Sequence, residues 1–191
     1  MAGFDLVTAP SIEPITLADF KAHQRVGHSE EDDLIDSYIA AARSACEATL
    51  KMSLLYTTWR YRIDFCFPWE IRLPIGPLRT VSGLSIQYVD DAGATQTLAT
   101  SVYQVSLGDT GVIRPAYGET WPATRPQMDA VTVTFKAGEA SAADLRPAIV
   151  DAVRLETANR YEHRESQVVG TSSSQITSLS ARNLLTPFIR P

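Results

Sequence analysis

The chain changes character at Tyr56-Thr57-Thr58-Trp59-Arg60-Tyr61-Arg62-Ile63-Asp64-Phe65, and this stretch decides the fold. Its residues are mostly aromatic or β-branched, and polar and apolar positions partly alternate, as they do in a half-buried strand. Pro68 ends the pattern. The stretch therefore predicts a strand that begins where helical sequence stops.

The residues before this strand have the apolar spacing of helices. Thr16 is expected to cap a short first helix, with Asp19 in the position that a capping box requires. A second helix start near Ser29 precedes apolar residues that recur at helical spacing to about Lys51. These residues are Leu34, Ile35, Tyr38, Ile39, Ala42, Ala45, Cys46 and Leu50. We expect the bundle core to contain Leu34, Tyr38, Ile149 and Val153.

Short strands separated by Gly and Pro turns follow the first one. The predicted segments are 70–74, 81–89, 96–98, 102–107, 111–114 and 130–137. Asp90-Asp91-Ala92-Gly93 is typical of a hairpin turn. Helical spacing returns at Ser141, and that helix is expected to end near Arg164.

The order of these elements predicts an α+β fold, with a small helical bundle, an inserted antiparallel β subdomain and an extended C-terminal tail. We expect bundle helices in residues 1–53, the β subdomain in 54–138 and the last bundle helix in 139–165. The remaining residues, 166–191, form the expected docking tail.

The tail joins a polar run to an apolar end. Gly170-Thr171-Ser172-Ser173-Ser174-Gln175 lacks apolar periodicity and is typical of a flexible spacer. An apolar anchor on a spacer needs a groove, which belongs either to the chain's own core or to another subunit. The candidate docking residues are Arg182, Leu184, Leu185, Pro187, Phe188 and Arg190.

The composition argues against several classes of protein. The 191 residues carry a formal net charge of −5, whereas a protein that wraps nucleic acid needs clustered Lys and Arg. No apolar stretch approaches the roughly 20 residues that span a bilayer, and no signal peptide is evident, so we expect synthesis in the cytoplasm. Cys46 and Cys66 belong to no CxxC pair and are expected to be reduced and buried.

Charge is unevenly spread along the chain. An acidic block precedes and opens the second helix, whereas residues 166–191 contain arginine and no carboxylate. The block is therefore a candidate surface between subunits, and two unrelated solvated surfaces are the alternative. Its members are Glu30, Glu31, Asp32, Asp33 and Asp36.

No catalytic, metal or cofactor site is indicated by the sequence. The three histidines are scattered, and the acidic block lacks the alternating oxygen ligands and central glycine of a calcium loop. Asp109 lies in an Asp-Thr-Gly triplet that is typical of a plain turn. Trp59, Trp69 and Trp121 leave a sugar-binding or hydrolase surface open, although aromatic residues at strand spacing are more often core.

Short motifs occur in a fixed order along the chain. They are Glu13-Pro14-Ile15-Thr16-Leu17, Asp32-Asp33-Leu34-Ile35, Leu73-Pro74-Ile75-Gly76-Pro77, Tyr88-Val89-Asp90-Asp91-Ala92-Gly93, Ile113-Arg114-Pro115-Ala116, Trp121-Pro122, Val133-Thr134-Phe135-Lys136-Ala137-Gly138, Arg146-Pro147-Ala148-Ile149, Tyr161-Glu162-His163-Arg164-Glu165 and Leu184-Leu185-Thr186-Pro187-Phe188. In this order they resemble the head-tail connector (adaptor) proteins of long-tailed bacteriophages and gene transfer agents.

The resemblance implies a non-enzymatic protein of the virion neck. Such adaptors form a ring, typically of twelve copies, between the portal protein and a head-closure (stopper) or tail protein. DNA passes through the ring without sequence-specific binding, and the resemblance implies no cofactor and no membrane. The tail residues would bind the portal or a neighbouring subunit, and the acidic block would face sister subunits. A stopper or tail-completion protein is the alternative within this class, and a carbohydrate-binding or hydrolase module is the alternative outside it.

Overall fold

The computed structural model describes residues 3–163 and 179–189. Within these ranges the chain forms four α-helices and eight β-strands, which confirms the expected α+β class. The described residues divide into two compact units, one within Met1–Ser11 and Tyr56–Glu139 and the other within Ile12–Leu55 and Ala140–Pro191. We call them the β unit and the helical unit.

The β unit contains two antiparallel sheets. The larger sheet has the strand order β1-β2-β8-β4-β5, and the smaller has the order β3-β7-β6. The strands are β1 Gly3–Thr8, β2 Thr57–Ile63, β3 Ile71–Arg72, β4 Ser85–Val89, β5 Thr95–Thr97, β6 Tyr103–Ser106, β7 Val112–Pro115 and β8 Val131–Ala137. The first strand predicted from the sequence is thus β2, which lies between β1 and β8.

Strand β8 supplies the centre of the core of this unit. Its buried residues alternate with half-buried ones, as expected for a strand whose two faces differ in packing. Ile86 of β4 lies opposite Val133 and is fully buried, as is Ile113 of β7. Val81, which the sequence placed inside, is 54% exposed because it precedes a turn rather than belonging to β4.

Strand β1 was not predicted, because the apolar spacing in residues 1–53 indicates only helices. It pairs with β2 so that Phe4 lies opposite Tyr61 and Leu6 lies opposite Trp59. Five of its six residues are exposed, so the strand has no buried face that would give alternating polarity. Its pairing with β2 becomes visible only in three dimensions.

The helical unit is built from α1 Leu17–Gln24, α2 Asp32–Leu50, α3 Pro147–Glu162 and α4 Leu179–Leu185. The predicted capping box of α1 is present: the Asp19 amide donates to Thr16 Oγ1 at 3.0 Å, and the Thr16 amide donates to the Asp19 carboxylate. In the parts of the chain that the structure describes, no helix is long and apolar enough to cross a membrane.

The buried stripe of α2 differs from the expected one. Leu34 and Tyr38 are only half-buried, whereas Ile35 and Ile39 are 0% and 1% exposed. The buried stripe continues along the helix through Ala42, Cys46 and Leu50. Both stripes have helical spacing, and packing against the other helices selects the second one.

The C-terminal elements also depart from the sequence expectation. Residues 142–144 form a 3₁₀ turn with a capping box between Ser141 and Asp144, and α3 begins only at Pro147, whose ring favours the first helical turn. Over residues 179–189 the tail is not extended, because α4 is followed by a 3₁₀ turn at Thr186–Phe188. The predicted helix end at Arg164 and the serine run lie outside the described residues.

The two cysteines lie in different environments. Cys46 is buried in the helical unit, as expected, and is 2% exposed. Cys66 is exposed, so the expectation that both are buried was wrong. The physical reason is that β2 ends at Ile63, and Cys66 lies in the bend that follows.

Candidate partner-binding surfaces

Helix α4 occupies a groove formed by α2 and α3 of the same helical unit. Ala181 and Leu185, which are one helical turn apart, are 4% and 3% exposed and belong to the core of that unit. The chain's own groove, one of the two alternatives that the sequence left open, therefore holds this segment. Leu185 was predicted to contact a partner, but in this conformation its side chain is covered by its own chain.

The residues around Leu185 extend the same contact. Leu184 and Phe188 are half-buried and pack against the core of the helical unit. The Arg146 guanidinium lies over the Phe188 ring, 4.7 Å from its centroid, which is a cation–π arrangement. Pro187 lies in the 3₁₀ turn that ends the helix.

The other side of this segment is open to solvent. Arg182, Asn183 and Pro187 are exposed, and Ile189 is 39% exposed. Arg190, the remaining predicted docking residue, lies outside the described residues. Of the predicted set, Arg182 and Pro187 are thus the residues that α4 and its 3₁₀ turn present to solvent.

A cavity of about 450 Å³ lies along the contact between α4 and α2. Thr49 of α2 and Arg182 of α4 both line it, together with the buried Cys46. Burial raises the pKa of the Cys46 thiol to about 12, so the thiol stays protonated near neutral pH. The cavity shows that α4 does not fill its groove completely.

Two members of the acidic block are engaged within the helical unit. The Lys21 ammonium lies 2.6 Å from the Asp32 carboxylate, and the Tyr161 hydroxyl donates to the Glu31 carboxylate at 2.7 Å. These contacts tie the start of α2 to α1 and α3. Asp32 and Glu31 therefore serve the fold of their own chain.

The other three carboxylates of the block point to solvent. Glu30, Asp33 and Asp36 are exposed. The Glu30 carboxylate lies 3.2 Å from His28 Nδ1 and accepts a hydrogen bond from the Ser29 amide at 3.1 Å. Arg182 is not among the ion-pair partners of the block in the described parts of the chain. The structure does not bring the acidic block and Arg182 together within one copy.

The β unit has exposed apolar side chains that the sequence patterns did not predict. Phe65, Trp69 and Met128 are 57%, 81% and 79% exposed. We call these three residues the apolar loop cluster. The Phe65 amide donates to the Gln127 carbonyl at 2.8 Å, which holds the loop after β2 beside the loop before β8. Large apolar side chains next to Pro68 and Asp129, outside any strand, were the available signal.

The tryptophans do not form a shared platform. Trp121 stacks on Phe67 with ring centroids 4.8 Å apart, and Trp59 meets Phe4 edge to face at 5.8 Å. Trp69 is the exposed one. The three rings therefore do not form the shared platform on which the sugar-binding alternative was based.

Asp109, in the Asp-Thr-Gly triplet, has the surroundings of an ordinary surface carboxylate. Asp109 is exposed and lies 3.4 Å from Arg79, which also pairs with Glu139. Among residues 3–163 and 179–189, no group of three or more His, Cys, Asp or Glu side chains is placed to hold a metal ion.

The chain matches known proteins in family and in structure. The family model of phage gp6-like head-tail connector proteins matches residues 14–107. No curated protein matches the chain in sequence. This family is one of structural connectors rather than of enzymes.

Three solved structures from gene transfer agent (GTA) particles contain a similar chain. One is the neck of an empty particle computed with C6 symmetry, with 26% identity, a TM-score of 0.73 and 94% of each chain covered. A second is the virion of a native particle, with 26% identity, a TM-score of 0.72 and coverage of 94% of this chain and 93% of that one. A third is the neck of a native particle computed with C12 symmetry, with 24% identity, a TM-score of 0.69 and coverage of 95% and 93%. Together with the family match, these structures identify the chain as a head-tail connector (adaptor) protein, a structural component of a phage-like particle.

Proposed function

We propose that the chain forms a ring in the neck of its particle, between the portal and a head-closure or tail protein. The observation that carries the proposal is the likeness to a chain in the neck of a GTA particle over 94% of both chains. A ring of 12 copies agrees with the C12 symmetry with which the neck of a native GTA particle was computed. That neck contains a chain of similar fold.

Neighbouring copies in such a ring meet through two different surfaces. A cyclic ring needs head-to-tail contacts, in which one face of a copy meets a different face of the next. Glu30, Asp33 and Asp36 give one exposed acidic face, and the exposed Arg182 lies on another element of the helical unit. We assign the three exposed carboxylates of the acidic block to the contact between copies, with Arg182 and Arg190 as their basic counterparts.

The exposed part of the tail is assigned to the portal or to the neighbouring copy. Pro187 and Ile189 are exposed beside the half-buried Leu184 and Phe188, so a partner has an apolar strip to cover. Leu185 contributes by fixing α4 in a groove between α2 and α3.

The apolar loop cluster is assigned to the contact with the next neck protein. Phe, Trp and Met are enriched at the centres of protein interfaces, and these three side chains are exposed on two loops joined by a hydrogen bond. The two loops are held together by the amide of Phe65 and by the Thr124 hydroxyl, which donates to the Phe65 carbonyl at 3.0 Å. The two loops that carry the cluster are therefore linked to each other rather than independent.

An acidic ring also suits the passage of DNA. The net charge of each copy is −5, and a lumen poor in Lys and Arg does not hold phosphates strongly. We therefore expect DNA to pass through the ring without sequence-specific contacts.

The proposal is tested by producing particles that lack the chain. We expect DNA-filled heads and free tails that do not join, seen by electron microscopy of negatively stained lysates. Expression of the chain in trans is the control and should restore joined particles. Particles that join normally without the chain would contradict the proposal.

A further inference from the structure

More chain connects α3 to α4 than a helix hairpin needs. Helix α3 ends at Glu162 and α4 begins at Leu179, so residues 163–178 lie between them. Connections between packed helices usually have about 2–8 residues. Sixteen residues reach at most about 55 Å when fully extended, which is more than the roughly 30 Å diameter of a small domain.

The contacts that hold α4 come from the groove and not from this connection. Ala181 and Leu185 are buried among residues of α2 and α3, and Phe188 is covered by Arg146. Every copy of the chain has the same groove. The α4 helix of a second copy can therefore make the same contacts without any new surface, which is the usual origin of exchange between identical subunits.

We infer that in the assembled ring α4 of each copy occupies the α2–α3 groove of the next copy, whereas in the free chain it occupies its own groove. The inference rests on the proposed function, because it requires a ring. Exchange around a ring is a head-to-tail contact that closes on itself, as cyclic symmetry demands.

A second copy fits as the occupant better than a portal surface does. If α4 left its groove for the portal, the apolar residues of α2 and α3 beneath Leu185 would lose their cover. Exchange between copies instead keeps every groove filled, so no apolar surface becomes exposed to water.

Two cysteines introduced across the cavity distinguish the two arrangements. The full chain carries Thr49→Cys on α2 and Arg182→Cys on α4, with the exposed Cys66 changed to Ser. Both new positions line the same cavity, and Cys46 stays because its raised pKa makes it slow to react. Light and ¹⁵N-labelled copies are mixed, assembled with portal, treated with a short thiol-to-thiol crosslinker and digested for mass spectrometry.

Exchange predicts linked peptide pairs that join light to heavy chains in the ring, and covalent ladders on a denaturing gel. The free chain at low concentration should give links within single chains. Links that stay within single chains in the ring would overturn the inference, and so would the loss of links in the ring, since α4 would then have moved to the portal.

Matched variants keep the outcome clear. Thr49→Cys with Asn183→Cys is the negative control, because Asn183 is exposed and does not line the cavity. Ile189 does line it, so Thr49→Cys with Ile189→Cys replaces the first pair if loss of Arg182 prevents assembly. Native mass measured before crosslinking separates the two claims: no ring contradicts the proposed function, whereas a ring without exchange contradicts only this inference.

Discussion

Arg43 illustrates how single side chains organise the helical unit. Its guanidinium lies 2.7 Å from the carboxylates of both Glu13 and Glu47, and the other Glu47 oxygen accepts the Leu54 amide at 2.8 Å. Burial raises the pKa of Glu47, while Arg43 and the Leu54 amide oppose that rise. The network joins the segment before α1 to the chain that leaves α2, where an unpaired charge would be costly.

At the residue scale, the two apolar stripes of α2 give a matched pair of substitutions. Ile39→Ala should lower the free energy of unfolding by about 2–5 kcal/mol, because Ile39 is 1% exposed and its truncation leaves a cavity. Leu34→Ala should cost clearly less, because Leu34 is half-buried. Urea unfolding followed by circular dichroism measures both. Equal losses would show that the stripe is wrongly assigned.

A second residue-scale prediction concerns Glu70. Hydrogen bonds from Arg114 and then Arg72 hold the pKa of Glu70 below its usual range. A carboxylate with a lowered pKa in the folded state stabilises above its unfolded pKa of about 4.3, and that contribution is lost as the pH falls through the folded value. The stability of the chain should therefore fall faster below about pH 4.3 than that of Glu70→Gln.

Thermal unfolding between pH 7 and pH 2.5 measures this difference. Glu119→Gln, which changes an exposed carboxylate in the same unit, serves as the control and should follow the unchanged chain. If the melting temperatures of Glu70→Gln and of the unchanged chain depend on pH in the same way, Arg114 and Arg72 do not stabilise the folded chain through the Glu70 carboxylate.

At the scale of elements, sequence patterns predicted the longer elements with regular apolar spacing and missed β1 and α4. The strands β2 and β8 and the helices α2 and α3 have apolar residues at regular spacing, so they were predicted with small errors at their ends. Strand β1 is exposed on both faces, and α4 has only seven residues after a polar run. Periodicity needs several turns or alternations to be visible.

The same reasoning explains how much of the candidate surfaces could be predicted. The acidic block and the apolar end of the tail could be recognised from the residue types in the sequence alone. The partners of Glu31 and Asp32, and the cover over Leu185, depend on contacts distant in sequence, as in the Tyr161 hydroxyl bond to Glu31. The apolar loop cluster was missed because loops have no period, and only exposure in the folded chain distinguishes it.

Helix α4 is predicted to stabilise the free chain. Removal of residues from Leu179 onward uncovers the core beneath Leu185, whose burial alone contributes about 1.5–3 kcal/mol. The melting temperature should fall by roughly 3–12 °C, with the truncated chain still folded. Differential scanning calorimetry measures the shift. Arg182→Ala, a change at an exposed position of α4, is the control and should change the free energy of unfolding by no more than about 0.5 kcal/mol. An unchanged melting temperature after truncation would mean that α4 is not docked in the free chain.

The apolar loop cluster is predicted to act in binding and not in folding. Trp69→Ser with Met128→Ser removes two highly exposed side chains, so the melting temperature should change little. Binding to the next neck protein should weaken at least about tenfold, because loss of interface anchors typically costs more than 1 kcal/mol each. Surface plasmon resonance measures the affinity. Tyr117→Ser is the control, because Tyr117 is exposed but does not belong to the apolar loop cluster. Unaltered affinity of the double variant would show that this surface is not the contact.

At the scale of the whole molecule, we assign different binding partners to the two units. The helical unit carries the acidic block and α4, which we assign to copies of the same chain and to the portal. The β unit carries the apolar loop cluster, which we assign to the next protein of the neck.

The central claim, a ring that forms in the neck on the portal, is tested most directly by native mass spectrometry of the purified chain with and without portal. We expect a monomer at low micromolar concentration, a closed ring of copies bound when portal is present, and loss of that ring as salt screens the carboxylates of Asp33 and Asp36. A chain that stays monomeric beside the portal, at every salt concentration, would contradict the account.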